Sequence, residues 1–232
     1  MLQIRRSNDR GRADFGWLDS RHTFSFGQYR DPAFMGFGHL RVINDDRVIA
    51  GRGFPLHPHR NMEIISYVVA GELAHEDSEG HSGVVRAGEV QLMSAGRGIR
   101  HSEMNGSQTH PLHFLQIWVN PARTETAPRY EQLDFGVEPG LALIASPDGR
   151  DHSLQIGRDL DLHRLLGTGP SEHRLALRRP RAWVQVVHGT LTLRGETLHA
   201  GDGVALTHPS DASGHLDLSC AGPVDALIFD LL

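Results

Sequence analysis

Between Gly38 and Val119 the apolar residues come in short runs with a period of two, each closed by glycine, proline or acidic residues. Residues 39–44, 64–69, 90–93 and 112–119 are such runs. Asn44-Asp45-Asp46, Gly71-Glu72, Ala87-Gly88-Glu89, Gly96-Arg97-Gly98 and Asn120-Pro121 read as the turns between them. Side chains two apart on an extended chain share a face, so each run can bury one face and wet the other. Strands this short, with turn signals about 8 to 12 residues apart, predict an all-β fold, either a sandwich or a barrel. With 26 glycines and 12 prolines in 232 residues, many turns and few helices are expected.

The chain before Gly38 is less regular. Residues 2–6 suit an edge strand. Phe24, Phe26, Tyr29, Phe34, Met35 and Phe37 crowd into a turn-rich segment that must pack on something. They form either a flap over the core or, with Met93, a wall of a pocket for an aromatic substrate. Residues 75–83 read as a polar loop. Residues 121–140, rich in Pro, Thr and Glu, read as a linker with room for a short helix. Beyond it the strand pattern repeats. Val68-Val69-Ala70-Gly71-Glu72-Leu73 matches Val186-Val187-His188-Gly189-Thr190-Leu191, and Ala87-Gly88-Glu89-Val90 matches Ala200-Gly201-Asp202-Gly203. Two related β-barrels in tandem are the economical reading, with domains at 1–124 and 125–232.

Chemistry concentrates in His57-Pro58-His59 and His101-Ser102-Glu103. On strands, each triplet aims two ligand-type side chains the same way. If the strands are neighbours, His57, His59, His101 and Glu103 converge. Three imidazoles and one carboxylate suit one divalent transition ion. Octahedral coordination by four ligands leaves two open positions, which favours Fe(II) and also admits Mn, Co, Ni or Cu. A closed structural zinc is the bland alternative; such sites prefer cysteine, and Cys220 is the only one here. Counting back from Gly189 as the first pair counts back from Gly71 reaches Leu175 and Leu177, and His215, Leu216 and Asp217 stand near the counterpart of His101. The second half is therefore expected to hold no metal and to serve a structural role. On the run after the second triplet, His113 and Gln116 lie on opposite faces, so at most one faces the metal. His188, His199, His208 and His215 read as surface residues, and Cys220 as a small core residue.

The same residues resemble the cupin motifs, the first carried by Gly51, His57, His59, Glu63 and Gly71, the second by Gly88, Ser94, Gly96, His101 and Asn105. Ser94 stands where the second motif has proline, and the spacings from Glu63 to Gly71 and from Gly96 to His101 are longer than the motifs'. The longer spacing puts Ile64 where the usual cupin glutamate ligand would fall. These departures, with His57-Pro58-His59-Arg60, the run from Gly96 to Met104 and His22-Thr23-Phe24-Ser25-Phe26, resemble the pirin family. The resemblance spans essentially the whole chain. It implies a bicupin of two double-stranded β-helix barrels with few short helices and a metal in the N-terminal half only. It implies His57, His59, His101 and Glu103 as ligands, with Glu63 outside the set that touches the ion. It also implies quercetin 2,3-dioxygenase activity, in which flavonol and O2 meet at the metal, the C-ring opens and carbon monoxide leaves. Glu103 is then both ligand and proton acceptor. The alternative implied by the family is a redox-responsive regulatory protein whose metal acts on a protein partner. The resemblance suggests a monomer.

The net charge of -5 comes without a basic block, although all 23 basic residues are arginine. That gives no support for nucleic-acid binding. No apolar run reaches the length of a membrane span and no leader pattern opens the chain, so a cytoplasmic protein is expected.

Overall fold

The computed structural model describes residues 2–207 and 214–232. His208 lies outside them. The described residues contain no α-helix, only the single-turn 3-10 segments Ser7–Asp9 and Arg150–His152, and none of their helices could cross a membrane. The architecture is all-β. In chain order the strands of the first half are β1 (Leu2–Arg5), β2 (Gly11–Asp14), β3 (Leu18–His22), β4 (Leu40–Val48), β5 (Gly53–His59), β6 (Glu63–Ala70), β7 (Glu72–Asp77), β8 (Ser82–Arg86), β9 (Glu89–Ser94), β10 (Ile99–Asn105), β11 (Leu112–Val119) and β12 (Arg129–Asp134). Those of the second half are β13 (Gly140–Ser146), β14 (Leu154–Gln155), β15 (Leu160–Gly167), β16 (Ser171–Ala176), β17 (Arg181–Leu193), β18 (Glu196–His199), β19 (Gly203–Thr207) and β20 (His215–Leu231). The chain forms two compact units. One comprises Gly11–Gly136 and Leu154–Arg158; the other comprises Met1–Arg10, Val137–Ser153 and Asp159–Leu232.

The first unit sandwiches a seven-stranded sheet, ordered β12-β9-β6-β11-β4-β3-β2, against a four-stranded sheet, ordered β5-β10-β7-β8. Its interior is layered, and the alternation of each strand sets the layers. Successive inward residues are Ile64, Ser66 and Val68 on β6, and Trp118, Gln116 and Phe114 on β11. One apolar layer packs Val68, Phe114, Leu18, Val48 and Leu112 on Leu73 and Val85 of the facing sheet. Another packs Ile64 and Met93 on Ala95 and Ile99, with Trp118 against them. Each such side chain, fully buried, contributes roughly 1.5–3 kcal/mol. The layer between is polar. Register pairs His22 with Asn44, Asn44 with Gln116, Gln116 with Ser66, and Ser66 with Gln91, forming one row across five strands. Buried polar groups cost free energy unless hydrogen-bonded, so the row marks where this interior departs from a plain hydrophobic core.

Three local expectations change. The strand β4 runs straight through Asn44-Asp45-Asp46, because both faces can accommodate acids. Asp45 accepts from His113 Nε2 at 2.7 Å and Arg47 Nη1 at 3.0 Å on one face, and Asp46 is hydrogen-bonded by Ser20 on the other. The turn falls instead at Gly51, whose φ of 65° suits glycine. Residues 72–77 are strand, because β7 is paired on both sides, by β10 and β8. The stretch expected to be a linker contains β12, held in full register against β9 from Arg129–Ser94 to Asp134–Glu89. Ladder pairing outweighs its weak strand propensity.

In the second unit the sheet runs β1-β19-β17-β20-β15-β13, with β16 also on β20 and β18 also on β17. β1 is the edge strand the sequence suggested. The interior is apolar, built from residues such as Val184, Val186, Leu216, Leu218 and Ile228. Leu175 is buried in this core, Leu177 packs against it, and Cys220 is one of its members.

Candidate metal centre

Strands β5, β10 and β7 lie side by side, and each presents two ligand-type residues to the interior. His101 is paired with His57 on one side and Asp77 on the other, and Glu103 is paired with His75. A β-bulge breaks the β5–β10 register between His101 and Glu103, so that Glu103 opposes Phe54. Bulges of this kind re-aim side chains beside functional sites. Gly53 permits the contact: a Cβ there would stand 2.4 Å from the Glu103 carbonyl oxygen and 2.5 Å from the Met104 Cα. The outcome is a tight histidine cluster. Ring centroids are 4.4 Å apart for His57–His101, 4.8 Å for His57–His59 and 4.9 Å for His59–His101. One ligand atom from each of the three lies within 4.8 Å of the others. Glu103 falls in a second group of that size with His101 and His75, and His101 belongs to both. Glu63, by contrast, accepts from Ser94 Oγ at 2.7 Å and from the Gly157 amide at 3.1 Å, and it joins neither group.

Hydrogen bonds assign the imidazole protons. His57 Nδ1 lies 2.8 Å from the Pro55 carbonyl, so it carries the proton and leaves the Nε2 lone pair free. His75 Nε2 lies 3.2 Å from Asp77 Oδ2, so it donates there and its Nδ1 accepts. His101 Nδ1, 3.5 Å from His75 Nδ1, is then the donor. That leaves His101 Nε2 as a bare lone pair, fully buried and without a partner. Asp77 also accepts from the amides of Glu79 and His81 and from the His81 ring. Burial raises the Asp77 pKa, but these donors outweigh it and hold the carboxyl below its usual range. Burial, reinforced by His57, pushes His59 down to about 4. Burial and the other histidines push His101 down to about 2. Both are neutral at pH 7, the protonation state a metal ligand requires.

Glu103 rests on the polar row. Ser66 Oγ donates to its Oε1 at 2.8 Å, Gln116 Nε2 donates to its Oε2, and Gln91 adds a further hydrogen bond. Burial nonetheless pushes its pKa up to about 7, against those donors. Three donors on four lone-pair sites leave one lone pair of the carboxylate for a cation. Of the pair considered after the second triplet, Gln116 faces the site and His113 faces Asp45.

The cluster opens onto a cavity of about 400 Å³, within the range of small-molecule sites. His57, His59 and Glu103 line it, with Phe26, Phe54 and Trp118 as apolar walls. Phe26 meets Trp118 edge-on at 5.4 Å. Tyr29 contributes another wall, and Gly11 makes room for it, since a Cβ there would stand 2.3 Å from the ring. Of the walls expected from sequence, Phe26 lines the cavity. Phe24 and Met93 are buried core, and Phe37 bridges to Leu40. The missed residues carried a readable signal: Ser66 and Gln91 are single polar residues inside apolar strands, and His75-Glu76-Asp77 is a third spaced pair of ligand types.

Three imidazoles within reach of one another, a buried His101 nitrogen lacking a partner and a carboxylate within reach of His101 suit a borderline transition ion. Comparison with known proteins agrees. Residues 3–119 match the family model described as Pirin, and residues 143–231 the model described as Quercetinase C-terminal cupin domain. The chain is 48% identical to quercetin 2,3-dioxygenase of Escherichia coli (strain K12), over 100% of this chain and 99% of that protein. It superposes on the bacterial pirin YhhW from Escherichia coli in complex with nickel(II) with a TM-score of 0.93 and 45% identity, covering 100% of this chain and 99% of the other. Quercetin 2,3-dioxygenase from Acinetobacter baumannii shares the fold at a TM-score of 0.73 and 18% identity, with 94% and 82% covered. Full-length identity at this level, on a tandem all-β fold with a histidine cluster in its first half, makes the chain a member of the pirin family.

Proposed function

We propose that this protein is a metal-dependent dioxygenase that opens the C-ring of flavonols such as quercetin with O2 and releases carbon monoxide. The observation that carries the reading is the placement of the histidine cluster on the wall of an aromatic-lined cavity. The similarity to quercetin 2,3-dioxygenase over the full chain supports it. His57, His59, His101 and Glu103 would hold one divalent transition ion, Fe(II) first, with Mn, Co, Ni, Cu or Zn as alternatives. Such an ion supplies Lewis acidity toward a phenolic oxygen and open coordination positions.

The protein's own groups do the rest. Glu103 lines the cavity and is the carboxylate placed to accept the proton of the flavonol 3-hydroxyl. Ser66 and Gln116 hold its two oxygens in place for that transfer. Phe26, Phe54 and Trp118 offer flat apolar contact and keep water from the ring. The second unit, with leucines at the positions that answer His57 and His59, serves as structure.

The test is carbon monoxide release from quercetin under O2, on protein of defined metal content. Wild type should bind about one ion, as one ligand set implies, and release carbon monoxide. His101→Ala should lose both the ion and the gas. Unchanged release by that variant would refute the assignment of the site.

A further inference from the structure

We propose that Asp46 is a specificity residue, whose carboxyl accepts a hydrogen bond from a substrate hydroxyl other than the one held at the histidine cluster. The inference rests on the flavonol reading above and deepens it. It would make the enzyme select polyhydroxylated flavonols over those carrying the 3-hydroxyl alone.

Placement comes first. Asn44, Asp46 and Val48 are alternate residues of β4 and face the interior, where Asn44 and Asp46 line the same cavity as His57, His59 and Glu103. Register sets Ser20 opposite Asp46 and His22 opposite Asn44, so one wall carries a polar strip amid aromatic walls. The hydrogen-bond count comes second. His22 Nδ1 donates to Asn44 Oδ1 at 2.8 Å and lies 3.3 Å from Ser20 Oγ, which leaves the Ser20 hydroxyl proton for Asp46. Asp46 is only 3% exposed, is hydrogen-bonded by Ser20, and keeps Oδ1 without any partner. Its chain neighbour Asp45, on the opposite face, is paired with both His113 and Arg47. Buried carboxyl oxygens are almost always partnered, and one that is not calls for a ligand. Burial pushes the Asp46 pKa up to about 7, and in its ionised form the unpartnered oxygen is an acceptor whose partner is a hydrogen-bond donor. The remaining cavity walls demand that the donor sit on an aromatic body. A phenolic hydroxyl meets both conditions. Leaving such a group unpaired is how a site rejects an analogue lacking the hydroxyl.

The experiment compares quercetin with 3-hydroxyflavone, which has the 3-hydroxyl and no other. Affinities are measured anaerobically, by quenching of tryptophan fluorescence, on metal-matched wild type, Asp46→Ala and Asp46→Asn. Wild type should prefer quercetin. Asp46→Ala should weaken quercetin by about 10- to 100-fold, the range for a hydrogen bond to a charged group, and leave 3-hydroxyflavone nearly unchanged. Asp46→Asn, which keeps a neutral acceptor in the same shape, should fall between and serves if the alanine variant fails to fold. An unchanged quercetin to 3-hydroxyflavone ratio in both variants overturns the inference while leaving the dioxygenase reading intact. Failure of wild type to bind either flavonol refutes the dioxygenase reading itself and the inference with it.

Discussion

The hydrogen-bond chain from Asp77 through His75 to His101 makes Asp77→Asn the most informative perturbation outside the proposed ligand set. Every contact of the Asp77 carboxylate is with a donor: His75 Nε2 at 3.2 Å, His81 Nδ1 at 3.1 Å, and the amides of Glu79 and His81 at 2.9 and 3.0 Å. An asparagine must turn its NH2 toward some of them. The backbone amides cannot change role, so the carbonyl oxygen stays with them and the NH2 meets the His75 ring. His75 must then accept at Nε2 and move its proton to Nδ1. That proton faces His101 Nδ1, 3.5 Å away, and drives the His101 proton to Nε2, the nitrogen proposed to bind the metal. Loss of such an orienting partner typically weakens metal binding by about 10- to 100-fold, which is roughly 1.4–2.8 kcal/mol. The assay is chelator competition for Ni(II) on the metal-free protein, with the ¹⁵N shifts of the His101 ring as a direct report of its tautomer. His81→Ala is the control. It removes another donor to Asp77 without touching the path to His101, and it should bind Ni(II) nearly as wild type does. Equal affinity in Asp77→Asn and wild type would refute the tautomer argument, as would an equal loss in both variants.

Two further outcomes follow from particular contacts. In the metal-free protein, Glu103→Gln should raise stability relative to wild type, and by more at pH 8 than at pH 5. The folded-state pKa of Glu103 is raised, to about 7. Its neutral form is therefore favoured at low pH, and the stability it contributes is lost as pH climbs from the unfolded value through 7. A carboxyl lifted that far above its ordinary range forfeits roughly 3 kcal/mol on ionising, read from thermal or denaturant unfolding of both proteins at both pH values; a difference that shrinks with pH would contradict it. Gly11→Ala drives a methyl into the Tyr29 ring and should destabilise by about 1–3 kcal/mol. It should also weaken quercetin binding, because Tyr29 must leave the cavity wall; melting at the wild-type temperature would show that the ring gives way freely.

Much of the site was legible because strand geometry is local. Two residues apart on a strand means one face, so the sequence alone could place His57 beside His59 and His101 beside Glu103. The repeat was legible for the same reason, and it located Leu175 and Leu177, which the structure shows packed in an apolar interior. Strand limits were less so. Asn44-Asp45-Asp46 has turn composition, and only partners on both faces keep it extended. β12 has no alternation of its own and is held by β9.

The sequence by itself determined the fold class, the tandem repeat and the residue types able to hold an ion, since periodicity and spacing act over a few neighbouring residues. Tertiary structure decided which strands are neighbours, and with them everything that depends on cross-strand contact. It brought His75 and Asp77 behind His101, laid the polar row beneath Glu103, and set Asp46 on the cavity wall with an unpaired oxygen. Those contacts join residues up to dozens of positions apart, through sheet pairing and a β-bulge whose register no local pattern specifies.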